Sequence, residues 1–115
     1  MNVLTVTVNL PVSDLAASEK WYRQVFDDAG PSITPVPGII EFVVGPVELQ
    51  LSVDPVERSG ASVIVRFGVD DAPAAHQRMS ELGIAVGELE HVENVVDYFD
   101  FADPDGNQLS IYSMA

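Results

Sequence analysis

Asp103-Pro104-Asp105-Gly106-Asn107 is the stretch of sequence that decides the fold. Proline fixes φ near the value that the second position of a turn requires, and glycine adopts positive φ without steric cost. Aspartate and asparagine side chains form hydrogen bonds with nearby backbone groups in such turns. The strand-like runs 98–102 and 108–112 flank the stretch, so we predict a tight turn that closes a hairpin.

The composition is that of one acidic domain. The chain has 115 residues, 47% of them hydrophobic, which is enough to bury a core. Its 18 acidic and 5 basic residues give a net charge of −13. Such a surface repels nucleic acids and anionic membranes, which bind to clustered Lys and Arg, and it attracts cations. We therefore expect neither nucleic acid nor membrane as a partner, while acidity by itself also serves solubility.

The chain contains no cysteine, which excludes disulfides, zinc–thiolate sites and a cysteine nucleophile. The N-terminus starts directly with an alternating pattern rather than with the basic and apolar regions of a signal peptide. No apolar run has the length of a bilayer span. These features predict a cytoplasmic protein.

Apolar and polar residues alternate from Val3 to Leu10, and this period of two predicts a strand. Pro11 ends the strand, and Ser13 or Asp14 is placed to cap a helix that we expect to stop at Gly30 and Pro31. Two further strands are predicted at 39–44 and 47–53, on either side of a Gly-Pro turn.

The polar, turn-rich residues 54–61 are predicted to link this half to a second one. Residues 62–69 alternate like the first strand. Asp70 or Asp71 is placed to cap a second helix, and Gly83 to end it. We expect its buried face to consist of Ala72, Ala75, Met79 and Leu82. Further strand segments are predicted at 84–86, 89–92 and 98–101, ahead of the closing hairpin.

The two halves repeat one pattern. Val12-Ser13-Asp14 corresponds to Val69-Asp70-Asp71, 57 residues further on, and Leu49-Gln50-Leu51 corresponds to Leu109-Ser110-Ile111 at an offset of 60. Unequal loops account for the small difference between the offsets. We place module one at about 1–55 and module two at about 61–115 of a single domain.

The order of elements and three local motifs resemble the vicinal oxygen chelate superfamily, which includes glyoxalase I, extradiol dioxygenases and bleomycin-resistance proteins. The motifs are Leu10-Pro11-Val12-Ser13-Asp14-Leu15, Gly45-Pro46-Val47-Glu48-Leu49-Gln50-Leu51 and the turn at 103–107. The resemblance covers essentially the whole chain. It implies an α+β fold of two tandem βαβββ modules that form an open eight-stranded cup, and a homodimer that completes a cleft.

Strand alternation then indicates which side chains line the cup. If the apolar faces of the first strands pack under the helices, the opposite faces carry the polar residues. A sheet exposed on one side carries polar residues anyway, so the pattern alone does not establish a site. From it we predict a ligand-binding set of Thr7, Asn9, Glu48, Gln50, Arg66, Ser110 and Tyr112.

The family's metal ligands do not carry over to this sequence. The resemblance places them at Thr7, Gln50, Ile64 and Ser110, and Gln50 alone is a ligand of the family's type. A divalent metal needs three or more suitable donors. We therefore predict no metal and no cofactor.

The two histidines are interpreted as structural. We expect His76, in the middle of the second helix, to be a solvated surface residue. His91 lies among glutamates that favour a raised pKa, and an exposed strand or loop position explains it equally well.

Three functions remain open. The first is metal-free binding or sequestration of a small molecule, such as a cationic drug in the bleomycin-resistance branch, with Trp21, Tyr98, Phe99 or Tyr112 stacking on a flat ligand. The second is acid–base catalysis by Glu48 as base and Arg66 as electrostatic stabiliser, although these two side chains can equally form a simple ion pair. The third is a lyase, isomerase or dioxygenase whose metal is bound by Glu48, Gln50 and an acidic loop residue.

Overall fold

Two units, each with its own helix and its own sheet, make up the chain in a computed structural model. The structure describes residue 2 and residues 6–53 and 64–115, and the units are Met1–Arg58 and Ser59–Ala115. The α+β class predicted from the sequence is confirmed. The linker predicted at 54–61 and the start of the first strand, residues 3–5, lie outside the described residues.

The first unit has a three-stranded sheet in the order β1-β3-β2. β1 runs parallel to β3, and β2 runs antiparallel to it. The elements in chain order are β1 (Val6–Pro11), α1 (Leu15–Val25), β2 (Ile39–Val44) and β3 (Val47–Ser52). The core between helix and sheet contains Tyr22, Phe42, Leu49 and Leu51, all at most 2% exposed.

One isolated bridge, between Ile33 and Glu41, extends this sheet beyond β2. Both backbone N–H···O bonds of the pair are 2.9 Å long. Pro31, Pro35 and Pro37 surround Ile33 and have no N–H to donate, so the pairing does not continue into a strand. The described residues consequently contain seven strands, with the Ile33 bridge in the place of an eighth.

The second unit has a four-stranded sheet in the order β4-β7-β6-β5. β4 runs parallel to β7, and the other neighbours are antiparallel. The elements in chain order are β4 (Val65–Gly68), α2 (Ala72–Glu81), β5 (Glu90–Val92), β6 (Val96–Ala102) and β7 (Gln108–Met114). The strand segment predicted at 84–86 is reduced to a single bridge between Val86 and Phe101.

The repeat seen in the sequence is present in the hydrogen bonds. Asp14 and Asp71 are the N-caps of the two helices, and each accepts a 3.0 Å bond from the backbone N–H three residues further on. The backbone N–H of Val12 donates to Ser52, and that of Val69 donates to Tyr112, both at 2.8 Å. Each unit therefore ties the residue after its first strand to its last strand in the same way.

Two expectations about the helices are wrong. α1 ends at Val25 rather than at Gly30. Two acidic residues, Asp27 and Asp28, follow it and disfavour continuation at the negative end of the helix dipole, while Arg23 donates to the carbonyls of Ala29 and Gly30 at 3.4 and 2.9 Å. Leu82 is not in the core: it caps α2 and is 48% exposed, because the helix ends one residue earlier.

The turn at 103–107 is organised by the side chain of Asp103, which is 5% exposed. Its Oδ1 accepts hydrogen bonds from the backbone N–H groups of Asp105 at 2.9 Å and Asn107 at 2.8 Å. Its Oδ2 accepts a 2.7 Å bond from Asn107 Nδ2. Gly106 takes φ +82°, as expected. The predicted hairpin is confirmed, and one buried carboxylate satisfies most of its donors.

The side chain of His91 stabilises the edge hairpin β5–β6 through two contacts with carboxylates. Its Nδ1 lies 2.5 Å from Asp97 and its Nε2 2.9 Å from Glu93. Hydrogen bonds to the carboxylates of Asp97 and then Glu93 raise the pKa of the His91 imidazole above 6.5. The raised pKa suggested by the sequence is confirmed, and the position is on an exposed strand.

We predict that Asp103→Ala lowers the free energy of unfolding by about 2–3 kcal/mol, because two backbone N–H groups and one amide of the turn lose their acceptor. Urea unfolding followed by circular dichroism measures the loss. Asp28→Ala is the matched control: it removes the same group from an exposed position and should change stability by less than about 0.5 kcal/mol. Equal losses in the two variants would contradict the role of Asp103.

We also predict that the His91 imidazole titrates above pH 6.5. Because its pKa is raised in the folded state, its stabilising contribution is fully present below pH 6.5 and disappears as the pH rises through the folded-state pKa. An NMR titration of the imidazole measures the midpoint. Asp97→Asn should lower this midpoint, and a wild-type midpoint at or below 6.5 would contradict the paired geometry.

Candidate functional site

The polar face of the first unit brings together four of the predicted site residues. Thr7 and Asn9 on β1 lie opposite Glu48 and Gln50 on β3 in the parallel register. Thr7 Oγ1 donates to Glu48 Oε2 at 3.3 Å, and Asn9 Nδ2 donates to Gln50 Oε1 at 2.7 Å. These four side chains therefore pair with each other across the two strands.

Three side-chain hydrogen bonds of this face form a series in which each residue that accepts a hydrogen bond donates the next one, up to Glu41. Ser52 Oγ donates to Asn9 Oδ1 at 3.2 Å, Asn9 donates to Gln50, and Gln50 Nε2 donates to Glu41 Oε2 at 3.2 Å. The chain ends on a carboxylate, which only accepts. Each amide thus has a fixed orientation, and the face is internally satisfied.

The second unit has a pocket of about 500 Å³. Two rows of residues across the sheet build it. One row places Arg66, Ser110 and Asp100 side by side on β4, β7 and β6, and the next places Gly68, Tyr112 and Tyr98 in the same way. The residues that line the pocket are Arg66, Val96, Tyr98, Asp100 and Tyr112.

Gly68 allows the ring of Tyr112 to lie across β4. A Cβ atom at position 68 would meet the Tyr112 hydroxyl oxygen at 2.9 Å and the ring carbon that bears it at 3.0 Å. Such distances are shorter than van der Waals contact. The missing side chain at Gly68 is therefore what permits this wall of the pocket.

Ser110 lies beneath the charged row. It is completely buried, and its Oγ donates to the Phe99 carbonyl at 3.3 Å and accepts from Arg66 Nη1 at 3.4 Å. Arg66 is thereby drawn inward over β7 although its side chain is largely exposed. Ser110 therefore supports the guanidinium from below, and its predicted contact with a ligand stays a prediction.

The site residues predicted from sequence fall into two groups. Thr7, Asn9, Glu48 and Gln50 lie in the first unit, whereas Arg66, Ser110 and Tyr112 lie in the second. The structure joins Glu48 to Thr7 and Arg66 to Ser110. That these residues bind a ligand, and that Glu48 and Arg66 act in catalysis, stay predictions.

Two further carboxylates, absent from the predicted site, lie on the polar faces of the sheets. Glu41 lies on that of the first unit, since it accepts from Gln50, and Asp100 lines the pocket of the second unit. The signal was present in the sequence. Each stands between two large apolar residues of a strand, and in a strand the residue between two buried neighbours points to the opposite face.

Of the four aromatic candidates, two line the pocket, one is buried in the core and one is half-buried on α1. Tyr98 and Tyr112 line the pocket. Phe99 is completely buried, and Trp21 packs edge-on against Tyr22 with the ring centroids 4.9 Å apart. Stacking on a ligand is thus open to the two tyrosines.

The side chains at the family's metal positions do not fit a divalent metal. Ile64 has no donor atom, and the hydroxyl of Ser110 is buried and bonded to Phe99 and Arg66. Gln50 is the acceptor of Asn9. In the part of the chain that the structure describes, no group of three His, Cys, Asp or Glu side chains is arranged to hold a metal ion.

Neither histidine lines the pocket. His91 fastens the edge hairpin. His76 is not the solvated residue that its helix position suggested: it is half-buried, its Nε2 lies 2.9 Å from the Gly87 carbonyl oxygen, and its ring meets Phe99 edge-on at 4.9 Å. β6 packs against α2 at this point and shields the helical turn that contains His76 from solvent.

Solved structures with this fold are numerous, and three of them show its range. The lactoylglutathione lyase from Agrobacterium tumefaciens is 24% identical with a TM-score of 0.75, and the match covers 98% of this chain and 95% of that one. A glyoxalase/bleomycin resistance protein from Catenulispora acidiphila is 23% identical with a TM-score of 0.77, over 98% and 100% of the two chains.

A glyoxalase/bleomycin resistance protein/dioxygenase from Nocardioides is 16% identical with a TM-score of 0.75, over 99% and 85% of the two chains. At these identities the likeness establishes the fold alone. No curated protein matches the sequence. The sequence pattern of one family does match, over residues 5–111. The chain therefore belongs to the glyoxalase/bleomycin resistance protein/dioxygenase superfamily.

Proposed function

We propose that the protein is a metal-free small-molecule-binding protein that holds a flat aromatic ligand in the pocket of its second unit. The observation that carries this proposal is the pocket itself, about 500 Å³ with Tyr98, Tyr112 and Val96 in its lining. Small-molecule pockets are typically 300–1,000 Å³ and combine apolar walls with a few polar groups. Arg66 and Asp100 supply those polar groups here.

The two tyrosines are suited to stacking. They lie directly opposite each other on neighbouring strands, where opposite Cβ atoms are about 5 Å apart. A flat ring placed against them gains about 0.5–1.5 kcal/mol per aromatic contact beyond the area that it buries. An aromatic ligand therefore uses the pocket better than an aliphatic one of equal size.

The charge of −13 favours ligands with a positive group, because a strong negative potential raises the local concentration of cations. Sequestration of a drug of the kind suggested by the bleomycin-resistance members of the superfamily follows from this combination. Such drugs are the first ligands to test.

The alternative is a lyase, isomerase or dioxygenase, and one structural relative is named a lactoylglutathione lyase. The chain's own residues support it less. Glu48 accepts a hydrogen bond from Thr7, Arg66 donates one to Ser110, and the side chains at the family's metal positions do not fit a metal. Binding is the function that the pocket supports better.

Neither helix of the described residues is long and apolar enough to cross a membrane. A cytoplasmic location, a homodimeric state and the absence of a nucleic-acid partner stay proposals, drawn from the composition and from the family resemblance.

We predict that flat aromatic compounds, including cationic drugs of the bleomycin type, bind with measurable heat and raise the melting temperature. Tyr98→Ala together with Tyr112→Ala should weaken binding at least about tenfold, since two aromatic contacts are lost. Isothermal titration calorimetry measures the affinity. Tyr98→Phe with Tyr112→Phe keeps both rings and is the matched control, with affinity close to wild type.

The absence of heat and of a melting shift across the whole aromatic panel would remove the proposed function. A ligand at 100 times its Kd should stabilise the fold by about 2.7 kcal/mol, so the thermal measurement detects binding even where the heat is small. Equal weakening by the Phe and Ala pairs would instead place recognition on the hydroxyls.

We further predict that Mg²⁺, Mn²⁺, Ni²⁺ and Zn²⁺ leave the melting temperature unchanged, and that protein purified without chelator contains no stoichiometric metal. A metal that binds the folded state raises its stability by mass action, so a thermal-shift series detects it. Gln50→Ala serves as the comparison. Stabilisation of the wild type that this variant abolishes would favour the metal-dependent alternative.

A further inference from the structure

The pocket of the second unit contains two opposite charges that do not meet. Arg66 and Asp100 stand on either side of β7, both in register with Ser110. Arg66 Nη1 donates to Ser110 Oγ at 3.4 Å. In the described part of the chain, no ion pair joins Arg66 to Asp100, and the Asp100 carboxylate has no side-chain partner.

The sheet geometry explains the separation. Neighbouring strands are about 4.8 Å apart, so the Cα atoms of two residues on the outer strands of a three-strand row are about 10 Å apart. Ser110 holds the guanidinium above the middle strand. A gap remains between the cation and the carboxylate, and both charges face the same pocket.

The aromatic row lies beside the charged row. Tyr112 and Tyr98 are two residues along the strands from Ser110 and Asp100, which corresponds to about 7 Å. The pocket therefore presents a cation and an anion on one side and two aromatic rings on the other. A small molecule of ordinary size reaches both sides.

We propose that the ligand of this pocket is a small aromatic zwitterion. Its carboxylate binds to Arg66, its ammonium group binds to Asp100, and its ring lies against Tyr98 and Tyr112. This inference rests on the proposed function, which requires an aromatic ligand, and narrows it to one charge pattern.

Charge complementarity is the reason for choosing a zwitterion. A purely cationic ring would gain from Asp100 and be repelled by Arg66, and a purely anionic ring would experience the reverse. Placing like charges together costs binding energy and so discriminates against the wrong ligand. The zwitterion alone pairs both groups.

A series of four indoles tests the inference, because they share one ring and differ in charge. The probes are L-tryptophan, tryptamine, indole-3-propionate and indole, titrated calorimetrically into the wild-type chain. We expect L-tryptophan to bind most tightly, by about tenfold over either singly charged compound, since each charge-assisted hydrogen bond contributes on this scale.

Two charge-removing variants identify the contacts. Arg66→Gln should weaken L-tryptophan and indole-3-propionate about tenfold and leave tryptamine unchanged or improved. Asp100→Asn should weaken L-tryptophan and tryptamine and spare indole-3-propionate. Both positions are exposed, and the melting temperature of each variant checks that the fold is retained.

Failure of the inference is distinguishable from failure of the proposed function. Tryptamine binding as tightly as L-tryptophan, with no effect of Arg66→Gln, would overturn the zwitterion and leave aromatic binding intact. Binding of none of the four indoles would also overturn it. The proposed function falls only if the wider panel of flat aromatic compounds, cationic drugs included, gives no binding either.

Discussion

The parallel pairing of the first and last strands of each unit is the constraint on which the rest of the structure depends. β1 pairs with β3, and β4 pairs with β7, across more than 40 residues of chain. The last strand is then central, with the first strand on one side and its antiparallel neighbour on the other. Each polar row across the sheet combines one residue of the first strand with two residues of the closing hairpin, so neither row is complete until this pairing has formed.

Equivalent rows of the two units carry different side chains and different hydrogen bonds. In the first, Asn9, Gln50 and Glu41 form a linear series of hydrogen bonds that ends on the Glu41 carboxylate. In the second, Arg66, Ser110 and Asp100 occupy the equivalent row and leave the outer charges apart. A row whose polar groups are all hydrogen-bonded stabilises its sheet, whereas the described residues Arg66 and Asp100 form no ion pair with each other. The repeat preserves the backbone pairing, while the side chains of the equivalent rows differ in their hydrogen bonds.

Structural features that depend on residues close in sequence were predictable, whereas features that depend on the register between distant strands were not. The turn at 103–107, both aspartate caps and the alternation of Thr7 and Asn9 depend on neighbours in sequence, and the structure has them as expected. The pocket depends on which residues stand side by side on three strands, and a single sequence does not contain that information. The pocket position of Asp100 depends on the pairing of β6 with β7, and the covering of His76 arises from contact between α2 and β6.

Gly68 determines how closely the Tyr112 ring can lie against β4. The atoms that a methyl group at this position would meet belong to the end of the Tyr112 side chain, and a side chain moves more readily than backbone. A change of glycine to alanine is within reach of one nucleotide substitution. A single substitution at this position would therefore displace the Tyr112 ring and change the shape of the pocket.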